Sequence, residues 1–350
     1  MKIALITDTH FGARSDSIHF DDFFKKFYDN VFFEYIVKHN IKHVIHLGDV
    51  FDRRKYINFN ILNNCKSYFF DKLKELDIET HVIVGNHDTY FKNTNDVNSP
   101  DLLLNSYNNI TKYSTPTEVT FENCKVLLLP WICTDNYELS IQTIKNTDAK
   151  IVFGHLEIAG FQMYKGQVNE HGFDRAIFDK FDQVYTGHFH HRSSNQNISY
   201  LGTAYEITWS DYADKKGFHI FDTDTQMVSF LPNPFIMFEK YYYDEDKEHP
   251  DSVDTSMFSG KHVKLIVVNK KDYALFDSFI ERIYKKNPLE LKIIEDLNGF
   301  ESDALDDNID LEDTMVVLSK YVDSIETDLD KNKLKTMLKS IYFEAQGHSV

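Results

Sequence analysis

The chain has 350 residues, 42% hydrophobic and 27% charged, a length that predicts roughly two domains and a sizeable core. Its 38 basic and 55 acidic residues leave a net charge of −17, which argues against a protein that grips duplex DNA through a global basic surface, though not against one that cuts it. No apolar run approaches the ~18 residues that span a bilayer, no signal-peptide pattern opens the sequence, and three cysteines lack a CxxC pair, so a reduced, cytoplasmic protein is expected.

From Met1 to residue 232 strand-like and helix-like segments alternate, as in α/β proteins. Apolar, β-branched runs at 2–7, 43–47, 81–84, 125–129, 150–153 and 183–186 predict buried strands. Phe20, Phe23, Phe24, Phe27, Val31 and Tyr35 follow helical spacing and read as core packing, and 58–76 forms a second helix candidate. ISYLGT, GFHIFDT and QMVSFLP read as antiparallel strands joined by turns. Beyond Pro232-Asn233-Pro234, strands near 239–245, 261–268 and 289–296 flank a helix at 272–286, a small α+β unit over 235–296. Residues 295–313 hold no Lys or Arg and read as an acidic linker, placed at 297–310. In 311–350, Leu311, Met315, Leu318, Val322 and Ile325 share one helical face, and Leu334, Met337, Leu338, Ile341, Tyr342 and Ala345 another. These two helices either fold back on the main body or offer an apolar surface to another protein.

Five strand candidates each end in residues of metal-binding type: Asp8-Thr9-His10, Gly48-Asp49, Gly85-Asn86-His87-Asp88, Gly154-His155 and Gly187-His188-Phe189-His190. Carboxylate, amide and imidazole donors without cysteine point to hard-to-borderline divalent ions and away from a structural zinc site. A two-metal centre needs a carboxylate shared between the ions, and Asp49, after a glycine that allows a sharp turn, is the natural bridge. Singly, each residue has a plainer reading: Asp8 and Asp49 as turn or cap residues, His155 as a hydrogen-bonded loop histidine. Jointly they read as a phosphate-ester hydrolase. Of the other histidines, His171 and His191 sit nearest the ligand segments; His19, His39, His43, His46, His81 and His219 lack that context.

The series D-x-H, GD-x-x-D, GNHD, GH and GHxH resembles the calcineurin-like metallophosphoesterase superfamily, carried by Asp8/His10, Asp49/Asp52, Asn86/His87/Asp88, His155 and His188/His190. Asp88 and the absence of an Arg-Gly pair after Asp52 count against its protein phosphatase branch. The GDVFD segment, the short passage from TGHFHH to YLGT, the added α+β unit and the helical tail resemble SbcD-type DNA-repair nucleases, and in look the recombination endonuclease subunits of tailed phages, with Arg54-Lys55 soon after the motif. The segment Lys55-Tyr56-Ile57-Asn58 departs from the proline-rich turn of many cellular relatives.

That resemblance implies a four-layer α/β/β/α sandwich over 1–232, a capping domain that positions DNA, and C-terminal helices that bind the coiled-coil base of an SMC-like ATPase. It implies two divalent ions, manganese first and magnesium as alternative. One would take Asp8, His10, Asp49 and His190; the other Asp49, Asn86, His155 and His188. His87 would act on the leaving oxygen or the transition-state charge, Asp88 would orient His87, and Asp52 and Arg53 would stand behind the ligands or touch phosphate. A homodimer through 58–76 and the segment near 100–106 is also implied. The competing readings are a small-molecule phosphodiesterase or phosphatase of the same superfamily, and a scaffold that keeps metals for stability alone.

Overall fold

The computed structural model describes residues 1–164 and 167–295, with Val322 and six residues between 331 and 338. The acidic linker 297–310 and most of the helical region 311–350 lie outside the described residues.

Among the described residues seventeen strands are formed: β1 (Lys2–Ile6), β2 (His43–His46), β3 (Glu79–Ile83), β4 (Ile110–Tyr113), β5 (Thr117–Phe121), β6 (Cys124–Leu129), β7 (Ile151–His155), β8 (Gln162–Tyr164), β9 (Gln167–Val168), β10 (Gln183–Gly187), β11 (Ser193–Asn195), β12 (Ile198–Tyr200), β13 (Gly217–Asp222), β14 (Met227–Pro232), β15 (Phe238–Asp244), β16 (His262–Asn269) and β17 (Glu290–Ile294). Two six-stranded sheets run in the orders β14-β13-β1-β2-β3-β4 and β11-β12-β10-β7-β6-β5. Alternation along the strands sends Ile3, Leu5, Ile45, Leu47 and Ile83 to one side, where they meet Val126, Leu128, Ile151 and Phe153 of the second sheet. The opposite face of the first sheet packs against the aromatic helices through Phe20, Phe24, Phe27, Phe69 and Phe70. The opposite face of the second packs through Leu127, Val152 and Val184 with Ile144 of the helix Tyr137–Asn146. The architecture is the expected α/β/β/α sandwich.

The two aromatic helical stretches are each broken once. Ile18–Phe27 passes through a π-helical turn at Tyr28–Phe32 into Phe33–Lys38, and Phe59–Cys65 passes through Lys66–Phe70 into Asp71–Glu75. A π-turn rotates the following residues about the axis, so Tyr28, Phe32, Phe69 and Phe70 all reach the core. The second stretch starts where Asn58 caps it, its side chain accepting from the Asn60 and Ile61 backbone N–H groups.

The segment ISYLGT, expected beside GFHIFDT and QMVSFLP, instead pairs antiparallel with β11. β12 lies in the second sheet, parallel to β10, while β13 and β14 form an antiparallel pair on the edge of the first. The chain crosses between sheets through the buried segment Leu201–Ile207, apolar enough to bridge the layers. The last unit is a three-stranded parallel sheet, β15-β16-β17, whose β16–β17 crossover is the helix Tyr273–Tyr284 capped by Asp272. It has its own small core of Tyr243, Val263, Leu265, Phe276, Phe279 and Ile283. It joins the main body where the Glu206 carboxylate accepts from the backbone N–H groups of Met237 and Phe238. No helix among the described residues is long and apolar enough to cross a membrane.

Candidate metal centre

Parallel pairing brings the C-terminal ends of β1, β2, β3, β7 and β10 to one edge of the sandwich. The backbone must turn there at once, and four of the residues that do so adopt left-handed conformations despite their side chains: Asp8 (φ 51°), His10 (φ 42°), Asp49 (φ 55°) and His188 (φ 89°). Strain of this kind persists only where the surroundings over-determine it. Two glycines permit the crowding. A Cβ at Gly48, itself at φ 98°, would lie 2.5 Å from His155 Nδ1, and one at Gly187 would lie 2.0 Å from Thr7 Oγ1.

The seven expected ligands converge. Asp8, His10 and His190 form one group of donors and Asp49, His155 and His188 another, the donor atoms of each within 4.8 Å of one another. His10 Nε2 lies 3.9 Å from Asp8 Oδ1 and 3.8 Å from Asp49 Oδ2, and His155 Nε2 lies 3.2 Å from the same Asp49 oxygen. Asp49 therefore faces both groups. Asn86 Oδ1 sits 2.9 Å from His155 Nε2 and 3.0 Å from His188 Nδ1.

These donors fit divalent cations. His155 Nδ1 faces the Leu47 carbonyl at 2.7 Å as a donor, so once unprotonated at Nε2 the ring turns that lone pair toward two oxygens. His190 Nε2 likewise faces His10 Nε2 at 3.0 Å. Asp49 Oδ2 is buried with no hydrogen bond. Lone pairs aimed at lone pairs in a buried site call for a positive charge among them. Without a bound cation the carboxylates draw protons onto two of the rings in its place. Against the cost of burial, Asp49 and Asp8 lift His155 to about 9, and Asp52, Asp49 and Asp8 lift His10 to about 9. Burial holds His188 at about 3 and, with the charge of His10, drives His190 far below its ordinary value, leaving both as neutral donors.

Within Gly85-Asn86-His87-Asp88 only His87 is part-exposed. Its Nδ1 meets the Asp52 carbonyl at 2.7 Å, its backbone N–H donates to Asp49 Oδ1 at 2.8 Å, and its ring lies 4.9 Å from that of His10. Asp88, expected to orient His87, turns both of its oxygens to backbone N–H groups and a hydroxyl. Asp88 Oδ2 accepts from the backbone N–H groups of Asp49 and Gly85, each at 2.9 Å. Asp88 Oδ1 accepts from Val50 at 2.9 Å, Phe51 at 3.3 Å and the Ser99 hydroxyl at 3.3 Å. The carboxylate is saturated by the backbone of two ligand loops, so it clamps them. Asp52 itself reaches the site, its Oδ1 3.5 Å from His10 Nδ1. Arg53 turns aside to an ion pair with Asp16 at 2.8 Å.

Three supports had no signal in the strand-end pattern. Buried His46 meets Thr9 Oγ1 at 2.9 Å and accepts from the Gly48 N–H at 3.2 Å, bracing the loops of Asp8 and Asp49. Buried Lys216 donates to the His190 carbonyl at 2.8 Å and pairs with Asp211 and Asp214, and Asp214 in turn lies 3.0 Å from His191 Nδ1. Trp131 packs its ring 5.1 Å from that of His188 while its N–H donates to the Val84 carbonyl at 2.8 Å. It follows β6, whose Leu129 pairs with Gly154, so it is a sixth strand-end residue at this edge and the one without a ligating group.

Fold and site define a hydrolase built to hold divalent metals at the C-terminal edges of paired sheets. Residues 1–192 match the calcineurin-like phosphoesterase model, and the chain belongs to that family. Over 99% of its length, and 99% of the relative's, it is 30% identical to exonuclease subunit 1 of Enterobacteria phage T4. Among solved structures it is similar to the nuclease MPE of Pseudomonas putida (15% identity, 66% of this chain and 87% of that one, TM-score 0.31). It is also similar to an archaeal phosphodiesterase (14% identity, 67% and 100%, TM-score 0.32).

Proposed function

We propose that the chain is the nuclease subunit of a complex that processes DNA ends in recombination, repair and replication, cutting phosphodiesters with two divalent ions, manganese foremost. The observation that carries this reading is the pair of donor groups facing one buried carboxylate oxygen of Asp49, in a chain aligned end to end with a phage exonuclease subunit. Two divalent cations, when bound, supply Lewis acidity to the phosphate oxygens and make water acidic enough to attack at neutral pH. Asp8, His10, Asp49 and His190 would hold one; Asp49, Asn86, His155 and His188 the other. Asp49, accepting from the His87 N–H, fixes the spacing between the groups. His87, its Nδ1 held by the Asp52 carbonyl, would give a proton to the departing oxygen or balance charge on the phosphate. Asp52 sets that ring's orientation.

The relative's designation as a subunit supports a partner, which we assign as an SMC-like coiled-coil ATPase bound through residues 311–350. With a net charge of −17, the chain would leave much of the DNA grip to that partner and to the capping unit 235–296. Phe59 (86% exposed) and Leu102 (68% exposed) favour a homodimer through 58–76 and the segment near 100–106. The complex would act in the cytoplasm, the host's if the chain is phage-encoded, consistent with free cysteines at 65, 124 and 133.

The test is hydrolysis of defined single- and double-stranded DNA by the purified chain with Mn²⁺ or Mg²⁺, beside a chromogenic phosphodiester. Metal-dependent DNA cleavage is expected. Turnover of the small diester with none of DNA would replace this reading with a small-molecule phosphodiesterase.

A further inference from the structure

At the other end of the first sheet, where the strands begin, lies a second convergence of ligand-type side chains. β2 and β3 pair in parallel with His43 beside Glu79 and Ile45 beside His81. Residues two apart share a face, so His43, Glu79 and His81 all point to the side that carries Ile45 and Ile83 into the seam between the sheets. His43 Nδ1 lies 3.5 Å from Glu79 Oε2, and His81 Nε2 lies 3.8 Å from Glu79 Oε1. All three donor atoms fall within 4.8 Å of one another.

The two inward nitrogens, His43 Nδ1 and His81 Nε2, are buried without a hydrogen bond. His81 is only 5% exposed. An unsatisfied imidazole nitrogen in an apolar seam is unfavourable unless something binds it. Phe121 closes the seam against both rings, at 6.0 Å from His43 and 5.0 Å from His81. Burial lowers His81 to about 4, so the ring is a neutral donor at physiological pH. Tyr113 hydroxyl holds the far nitrogen, His81 Nδ1, at 2.8 Å. With Nδ1–H donated to that oxygen, the Nε2 lone pair is directed at the Glu79 carboxylate, which is how a second contact orients a ligating histidine.

The geometry points to His43, Glu79 and His81 as a mononuclear site for a divalent cation of the zinc class, separate from the phosphoesterase centre and serving to staple β2 to β3. Bonds of about 2.0–2.2 Å to nitrogen and oxygen set ligand atoms about 3.4 Å apart around a tetrahedral ion, close to the two separations found with Glu79. Two imidazoles and one carboxylate select zinc, or cobalt as its surrogate, over magnesium. Part-exposed His43 and mostly exposed Glu79 leave an access path and room for water in the fourth position. A staple here joins strands whose opposite ends carry Asp49 and Asn86, without touching the reaction.

The test loads chelator-treated full-length chain with Co²⁺ alone, counts bound metal per chain after dialysis, and records the visible absorption of tetrahedral cobalt. Glu79→Ala and His43→Ala change part-exposed side chains. Each is expected to bind one equivalent less than the wild type and to lose the tetrahedral band, with Mn²⁺-dependent turnover unchanged. In Asp49→Ala the band and its equivalent should persist, so a failure of the phosphoesterase assignment would not be mistaken for a failure here. Equal occupancy in wild type, Glu79→Ala and His43→Ala, or loss of the band with Asp49→Ala instead, would overturn the proposal.

Discussion

Asp88→Ala separates two roles for this carboxylate. In the structure its oxygens accept four backbone N–H groups, from Gly85, Asp49, Val50 and Phe51, and Asp88 is fully buried. Alanine leaves those donors facing a void. A buried donor stripped of its partner costs about 1–3 kcal/mol, and neighbouring loops relax in part, so the loss should be about 3–5 kcal/mol. Asparagine should recover little, because its amide would set an N–H group against two N–H donors wherever it turned. Urea denaturation in a chelating buffer, with the midpoint compared at constant m-value, reads the loss without any contribution from metal. Weaker metal binding should accompany it, since Asp49 and Asn86 ride on the loops that Asp88 clamps. An Asp88→Ala chain of wild-type stability and metal affinity that nonetheless failed to turn over would refute the clamp and restore a direct partnership with His87.

Burial raises Glu206 from 4.5 to about 7, so the folded chain binds the extra proton between those values. Its contribution is fully present below about pH 4.5 and is lost as pH rises through about 7, by about 3 kcal/mol at most, and Glu206→Gln, which keeps an acceptor for Met237 and Phe238, should flatten this part of the stability–pH curve. Gly187→Ala would push a methyl group to 2.0 Å from Thr7 Oγ1 and 2.8 Å from Asp8 Oδ2, and should cost about 2–4 kcal/mol in urea denaturation and weaken metal binding measured by calorimetry. If the proposed ATPase is the partner, deleting residues 305–350 should abolish co-purification with it while sparing Mn²⁺-dependent cutting of single-stranded DNA; a truncated chain that still co-purifies would contradict the assignment of that region.

The convergence of these side chains was legible in the sequence because each is tied covalently to a strand that announces itself: Asp8 follows KIALIT and Asp49 follows HVIHL. What the pattern could not carry was partnership across the fold. Asp88 reads as a neighbour of His87, yet its partners Asp49, Val50 and Phe51 lie in another loop. His46 looks like one more strand residue until the fold brings Thr9 to it. Two edge strands, β4 and β5, were unforeseen: they are short and mix polar with apolar residues because each is only half covered. The π-turns leave helical spacing readable on either side and shift its phase only locally. His43 and His81 were passed over for a similar reason, since the parallel register of β2 and β3 is what sets them around Glu79.

The most direct measurement compares Mn²⁺-dependent DNA cleavage with Mn²⁺ binding in the wild type, Asp49→Ala and His87→Ala. The account predicts that Asp49→Ala loses both, and that His87→Ala binds metal as the wild type does while cleaving about 10²–10⁴-fold more slowly. Undiminished cleavage by Asp49→Ala, or full activity in His87→Ala, would contradict it.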